Sequence, residues 1–305
     1  MFTPLTKNPE VGRGTLDLKP FLRGMHASLG DIPGLTDRKE VPEPFEMLEA
    51  DPVEIIPAAV DNSVFIDGIQ SAKILSYQDH RPVILSFTSA GGISQSLKPV
   101  DLVETLEVVC CESNAEDILA NGCPVAVTTV ADNENPGVVD SAVRGEINKS
   151  RDKQEFLLAA RLLRADNEGL VIADGHLAHR PEDKRMLGIV KTTNTNLIGD
   201  ESGLWRLREG WRSPLFRVPA DFGGGTADRY SAYVRLRSSR NRQWSHGLIR
   251  VETYDPEMID VAAGIALANR QGVRTTDPRG DRHVTPVARV EKWLKSRIPY
   301  YLAGG

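Results

Sequence analysis

Two short apolar segments that each end in Asp-Gly constrain the fold of this chain more than any other feature. They cover residues 64–68 and residues 171–175. A short continuous apolar run that stops at a turn signal is typical of a buried β-strand. We therefore predict two core strands, each of which closes on a carboxylate, Asp67 in the first and Asp174 in the second.

A helix-like segment between these strands carries a third acid. Apolar residues recur at helical spacing over residues 141–164. Glu155 shares a helix face with three apolar residues and is predicted to point toward the core. Glu146 shares its face with lysines and is predicted to be solvated.

Each of these acids also has an ordinary structural interpretation. Asp-Gly between apolar runs is the strongest short signal for a type I′ hairpin turn, which Asp67 fits. Asp152 and Glu155 have the spacing of a helix capping box, in which Glu155 would accept from the Asp152 N–H.

The rest of the chain predicts one α/β domain at residues 61–305 behind an N-terminal arm at residues 1–60. The arm is rich in proline, which prevents long helices, and residues 31–61 hold nine acids against two basic residues. Such charge repels phosphate, so we expect the arm to contact a partner protein.

Within the domain, turn residues and short spacings predict an antiparallel meander first and helices last. Residues 102–109 are predicted to form a short helix, Gly91-Gly92 to end a strand, and Asp255-Pro256 and Thr285-Pro286 to begin helices. Strands are predicted at 63–66, 73–77, 83–88, 125–130, 171–174, 186–190, 214–218, 232–236 and 248–253.

The composition predicts a cytoplasmic protein without a membrane segment. No apolar run approaches the roughly 18 residues that span a bilayer, and the first residues lack the pattern of a signal peptide. The three cysteines, Cys110, Cys111 and Cys123, are an odd number with two adjacent in sequence. We interpret them as reduced thiols.

The order of the three acids points to a metal site. An Asp on the first strand, a Glu on the first long helix and an Asp ending the fourth strand is the layout of the ribonuclease H-like fold. Converging carboxylates repel one another unless divalent cations lie between them. Oxygen ligands suit Mg²⁺ or Mn²⁺, and two such ions about 4 Å apart can clamp a scissile phosphate.

At these residues the chain resembles the NurA nucleases, which act with the HerA hexameric ATPase translocase in DNA end processing. The resemblance lies in residues 66–68, the helix with Glu155, and residues 173–177, 188–191 and 250–252. It implies a ribonuclease H-like mixed sheet flanked by helices, with additional antiparallel strands and C-terminal helices. It further implies a homodimer that cuts single- and double-stranded DNA with Mn²⁺ or Mg²⁺.

The same resemblance assigns roles to individual residues. Asp67, Glu155 and Asp174 would be metal ligands, and Lys191 would lie nearby, where its ammonium could hold a phosphate. The chain departs from the family at Ile69, where a small residue is typical. The C-terminal aromatic and proline segment of the family is not evident in residues 272–283, which leaves Asp281 and His283 as candidates for a fourth ligand.

An arginine-rich stretch supplies a candidate DNA surface. Residues 205–250 contain ten arginines against three acids. Arginine binds phosphate in a bidentate manner and tryptophan stacks on unpaired bases, although the tryptophans could equally be core residues. With no base-reading motif, we expect sequence-independent binding that weakens with salt. The candidates are Arg206, Arg208, Arg212, Arg240, Arg242 and Trp244.

Three function classes stay open on the sequence alone. The first is a metal-dependent DNA nuclease, and the second is an inactive relative that only docks DNA on a translocase. The third is a phosphotransferase of the actin and sugar-kinase type, which also places Asp-Gly beside phosphates. That class usually has Thr or Ser after the Asp-Gly, whereas Ile69 and His176 follow it here.

Overall fold

The computed structural model describes residues 45–191, 197–199, 201–240, 242–272, 280–300 and 302. These residues form an 11-stranded mixed sheet with helices on both faces. The strands are β1 (Val53–Glu54), β2 (Ser63–Gln78), β3 (Arg81–Ser94), β4 (Pro99–Cys111), β5 (Ala126–Val130), β6 (Leu170–Asp174), β7 (Met186–Val190), β8 (Trp211–Arg212), β9 (Phe216–Val218), β10 (Arg229–Arg235) and β11 (Leu248–Thr253). The α-helices are α1 (Glu112–Ala120), α2 (Pro136–Ala165), α3 (Glu201–Arg206), α4 (Ile259–Ala268) and α5 (Thr285–Lys295), and short 3₁₀ turns lie at Phe222–Gly224, Pro256–Met258 and Gly280–Arg282.

The strand order confirms the ribonuclease H-like class. The sheet runs β1-β8-β10-β11-β7-β6-β2-β3-β4-β5, with β9 on β10. Strands β2, β3 and β4 form an antiparallel meander, and β6 lies parallel to both β2 and β7. The five strands β4-β3-β2-β6-β7, with β3 antiparallel to the other four, are the ribonuclease H-like core. Strands β11, β10, β8 and β1 extend it with antiparallel pairs.

The core lies on both faces of the sheet because side chains alternate along each strand. Ile66 and Val171 pack with Leu158 under α2. Phe65 and Ile172 point the other way and pack with residues of α4 and α5. The strand residues between the two layers are therefore nearly all apolar, as expected for strands buried on both faces.

The hairpin interpretation of Asp67-Gly68 is wrong. Strand β2 continues through both residues to Gln78, so Asp67 lies within a strand and not at its end. The turn comes at Asp79 and His80, whose φ angles of 48° and 64° are those of a type I′ turn. The predicted strands at 63–66 and 73–77 are thus one strand.

Two further local predictions fail because a tertiary partner decides the conformation. Residues 102–109 belong to β4, which pairs with β3 along its length, and that pairing overrides a short helix-like pattern. Gly91-Gly92 lies inside β3. A Cβ at Gly91 would come within 2.6 Å of the Trp293 ring on α5, so glycine is needed there for helix-on-sheet packing.

The predicted helix is confirmed and is longer than expected. Helix α2 begins at Pro136, and the Asn135 side chain accepts from the Gly137 N–H at 2.9 Å as its cap. Asp152 lies in the middle of this helix, so the capping-box interpretation of Asp152 and Glu155 is wrong. Glu155 is buried, as its helix face predicted.

The segment assigned to the N-terminal arm contributes to the sheet where the structure describes it. Strand β1 pairs with β8, and Phe45 packs edge-on against Phe222 at 4.9 Å. Residues 1–44 lie outside the described residues, and the boundary at residue 60 stays a prediction. All three cysteines are free. Among the described helices, none is long and apolar enough to cross a bilayer.

Candidate catalytic cleft

The parallel pairing of β2 with β6 brings two carboxylates level with each other. Ile66 pairs with Ala173, so Asp67 and Asp174 are the next residues on neighbouring strands. Strand β6 ends there, and Gly175 turns the chain away with a φ of 106°. Because β2 runs on past this point, a cleft opens where β6 and β7 stop beside it.

The cleft has a volume of about 350 Å³ and contains all four residues that the sequence placed in the site. Its lining consists of acids, basic residues and backbone: Asp67, Gly68, Arg151, Asp152, Glu155, Asp174, Gly175, His176, His179, Arg180, Val190 and Lys191.

The Asp67–Asp174 pair is short of positive charge. Asp67 keeps some exposure to the cleft, yet burial in the surrounding protein, reinforced by the charge of Asp174, raises its pKa to about 7. Lys191 opposes this shift, and its Nζ donates to Asp174 Oδ2 at 2.7 Å. The Gly68 N–H also donates to Asp67 Oδ1, at 2.8 Å. These two donors do not fully offset the negative charge of the two carboxylates.

Glu155 reaches the same cleft from the other face of the sheet. Its carboxylate lies against the Cα of Gly68, where no Cβ would fit, on the face that α2 covers. Asp67 alternates onto the face that α5 covers. Arg180 donates to Glu155, and Arg151 Nε lies 3.5 Å from its other oxygen. Glu155 is therefore already paired with cations of the chain.

The fit to Mn²⁺ or Mg²⁺ is therefore good for two of the three predicted ligands. Asp67 and Asp174 offer hard oxygen ligands, and burial together with the charge of Asp174 raises the pKa of Asp67, so a divalent cation would stabilise its ionised form. Glu155 does not fit in this arrangement because two arginines occupy its oxygens. Accordingly, no group of three or more His, Cys, Asp or Glu among the described residues is arranged to hold a metal ion.

A buried ion pair beneath the cleft was not predicted as part of the site. Glu252 is 1% exposed; its carboxylate pairs with Arg250 at 2.7 Å, contacts His176 Nδ1 at 3.1 Å and accepts from the Leu177 N–H at 2.8 Å. Burial acts to raise the pKa of Glu252, but Arg250 and His176 outweigh it and lower the pKa to about 2. The sequence connects residues 250–252 with the site only through the family resemblance.

Two basic residues of the cleft were also missed. Arg180 is buried, and burial lowers its pKa. Arg151 lies one helical turn before Glu155. Neither stands in a recognisable motif, since only the return of the chain after β6 brings Arg180 to α2.

Most of the predicted DNA-binding residues lie at the same end of the sheet as the cleft. Arg235 pairs with Leu248, and Arg250 pairs with Val190, so the β10–β11 connection leaves the sheet where β6 and β7 stop. That connection holds Arg240, Arg242 and Trp244, and the segment before β8 holds Arg206 and Arg208; all five are exposed.

Arg212 differs from these candidates, and its assignment to DNA binding is corrected. It is 3% exposed, and its guanidinium donates to Glu49 and to Asp260, the latter at 2.5 Å. It anchors β8 to the segment before β1 and to α4. Its hydrogen-bonding groups face protein carboxylates and not a DNA surface.

Asp281 and His283 do not line the described part of the cleft. The Asp281 carboxylate accepts from the Gly247 N–H and lies 3.4 Å from His246 Nδ1, which ties the 3₁₀ turn to the start of β11. His283 is 9% exposed, and its carbonyl accepts from the Gln271 N–H at 2.9 Å. These contacts anchor Asp281 through its side chain and His283 through its backbone.

The fold and the cleft define a class: a ribonuclease H-like α/β protein with paired carboxylates and basic side chains at the end of the central strands. The NurA domain model matches residues 62–303. The chain therefore belongs to the NurA family of nucleases. No curated protein matches the chain.

One structural neighbour is the crystal structure of Marinitoga piezophila Argonaute in complex with 5′ OH guide RNA and target DNA. The two share 10% sequence identity at a TM-score of 0.30. The match covers 79% of this chain and 30% of the Argonaute chain.

Proposed function

We propose that this chain is a Mn²⁺- or Mg²⁺-dependent DNA nuclease that acts on single- and double-stranded DNA. The observation that carries the proposal is the level pair Asp67 and Asp174, undercompensated in charge, in a cleft with basic walls. Family membership supports the same reading and favours it over the phosphotransferase alternative.

The chain's own residues account for binding and orientation. Asp67 and Asp174 would hold a divalent cation, which when bound supplies positive charge to the scissile phosphate and lowers the pKa of a water. Lys191 is 10% exposed and is held by Asp174, so its ammonium is fixed at the edge of the cleft. Arg151 and Arg180 add positive charge on the opposite wall, where a phosphate group would be held.

The exposed arginines at the same end of the sheet extend this site. A strand that enters the cleft would run over the β10–β11 connection, where Arg240, Arg242 and Trp244 are exposed. Arginine and an aromatic ring bind backbone and bases without reading sequence. We expect binding that weakens with salt.

The test is cleavage of end-labelled single-stranded and duplex DNA in Mn²⁺. Asp174→Asn keeps the size of the side chain and removes its charge, so it should abolish cutting. Asp140→Asn is the matched control, because Asp140 pairs with Arg144 on the exposed side of α2, about 22 Å along the helix from Glu155. Cutting retained by Asp174→Asn would refute the site assignment.

One observation favours a second function, a DNA-docking subunit without catalysis. Glu155 is paired with Arg180 and Arg151, so a complete three-acid site is not assembled among the described residues. Titration of the protein with Mn²⁺ by calorimetry separates the two functions. A nuclease should show a Mn²⁺ site that Asp174→Asn removes, whereas a docking subunit should show none.

The partners and setting remain proposals supported by the family. We propose a HerA-like hexameric ATPase as the partner of the acidic arm, a homodimer as the assembly, and the cytoplasm as the compartment. Deleting residues 1–42, which leaves the described segment from Phe45 intact, should weaken association with the cognate ATPase. Sedimentation of the same deletion should still give a dimer. Unchanged association would refute a role for residues 1–42 in binding the ATPase.

A further inference from the structure

A glycine-rich loop lies beside the cleft and outside the residues that line it. The loop contains Phe222, Gly223, Gly224 and Gly225, between β9 and β10. Gly223 and Gly224 are exposed and have φ angles of 74° and 77°. The Gly224 N–H donates to the Asp221 carbonyl at 3.3 Å, so an anion bound by this turn would use the remaining N–H groups of the loop.

A buried arginine lies directly beneath this loop. Arg229 is 2% exposed, and its Nη1 is 2.7 Å from the position that a Cβ of Gly225 would take. Its Nη2 donates to the Phe222 carbonyl at 2.6 Å. Its Nε and Nη1 have no hydrogen-bond partner, and none of the described carboxylates forms an ion pair with it. An uncompensated buried cation is unfavourable, and an anion in the loop would offset that.

The loop touches the wall of the catalytic cleft. A Cβ at Gly224 would lie 3.1 Å from Cε1 of His179, and His179 lines the cleft. A phosphate held by the loop would therefore lie next to one held in the cleft.

Three acids flank the loop, and one of them, Asp228, is paired with an arginine. Asp228 accepts from the Ala220 N–H at 2.9 Å and pairs with Arg217 at 3.2 Å. Glu182 accepts from the Thr226 hydroxyl, and Asp221 directly precedes Phe222; both are exposed, so both charges act against an anion in the loop.

We propose that this loop, backed by Arg229, binds one backbone phosphate of a DNA strand beside the phosphate in the cleft. The proposal rests on the DNA nuclease function and adds a second phosphate site to it. The contact is made by backbone N–H groups and a buried cation, so it is independent of base sequence.

The test compares two variants at Gly223 that differ only in charge. Asn and Asp are the side chains that best tolerate a positive φ, and the nearest atom to a Cβ at Gly223 is 3.9 Å away. Gly223→Asp places a carboxylate in the anion site, whereas Gly223→Asn is its neutral control. Both avoid Arg229 itself, whose replacement could unfold the loop.

The measurement is binding of a fluorescent single-stranded oligonucleotide in EDTA, over a series of salt concentrations. Gly223→Asp should bind about tenfold more weakly than Gly223→Asn at low salt, as expected for the loss of one charged contact. The slope of log K against log salt should fall by about 0.7 for one lost phosphate contact. Glu182→Gln should change affinity in the opposite direction and tighten binding.

The outcomes separate this proposal from the one it rests on. Equal affinities and slopes for Gly223→Asp and Gly223→Asn overturn the loop site, while cleavage lost in Asp174→Asn would still support the nuclease. Absence of salt-dependent DNA binding by the wild-type chain overturns both. A weaker Gly223→Asp whose salt slope is lower by about 0.7, with affinity and slope unchanged in Gly223→Asn, supports the second phosphate site.

Discussion

The raised pKa of Asp67 predicts a stability penalty that depends on pH. The pKa of this carboxyl moves from 3.8 to about 7, chiefly through burial and then through Asp174. The native state therefore holds a proton that the unfolded state releases between these values, and stability falls as pH rises through that window. A pKa change of this size corresponds to about 4 kcal/mol of stability once the pH is above 7.

Replacing Asp67 by Asn removes the charge and keeps the size of the side chain. The Asn oxygen can still accept from the Gly68 N–H, as Asp67 does at 2.8 Å. We expect Asp67→Asn to match the wild type near pH 4 and to be more stable by about 4 kcal/mol near pH 8.

The assay is urea unfolding followed by circular dichroism at both pH values, with and without Mn²⁺. Asp140→Asn, on the exposed side of α2, is the control for removing a carboxylate away from the cleft. Mn²⁺ near pH 8 should stabilise the wild type and not Asp67→Asn. A difference between wild type and Asp67→Asn that is the same at both pH values would refute the reasoning, since it would show that folding does not raise the pKa of Asp67.

Two other predictions follow from charges that the fold has buried or exposed. The pKa of Glu252 is lowered from its ordinary 4.5 to about 2. Its ionised carboxylate therefore stabilises the folded state above pH 4.5, and this stabilisation is lost as the pH falls toward 2. Glu252→Gln should therefore cost about 3 kcal/mol in urea unfolding at neutral pH, with a deficit that shrinks below about pH 4; a constant deficit would contradict this. Arg212→Met should destabilise the chain by about 3 kcal/mol and leave the salt slope of DNA binding unchanged. Arg240→Ala should lower the salt slope of DNA binding by about 0.7 in anisotropy titrations and cause little loss of stability. A lower slope for Arg212→Met, or a large loss of stability for Arg240→Ala, would overturn these assignments.

Much of the fold could be predicted because its signals are local. The apolar runs before Asp67 and Asp174 define buried strands, and helical periodicity defines α2. The order strand, helix, strand then predicts the ribonuclease H-like arrangement, because few topologies accommodate it. Where a second strand or helix decided the conformation, as in β4 and at Gly91, local patterns failed.

The residues of the cleft show the same contrast between local signals and tertiary partners. The sequence by itself determined which acids share the cleft, since strand alternation and helix faces fix where Asp67, Asp174 and Glu155 point. Only the tertiary structure decided what surrounds them. Arg180 pairs with Glu155 across 25 positions of sequence, and the buried Arg212 bonds Glu49 across 163. Such partners meet through the packing of distant segments, and burial then sets the pKa of each group, which no local pattern encodes.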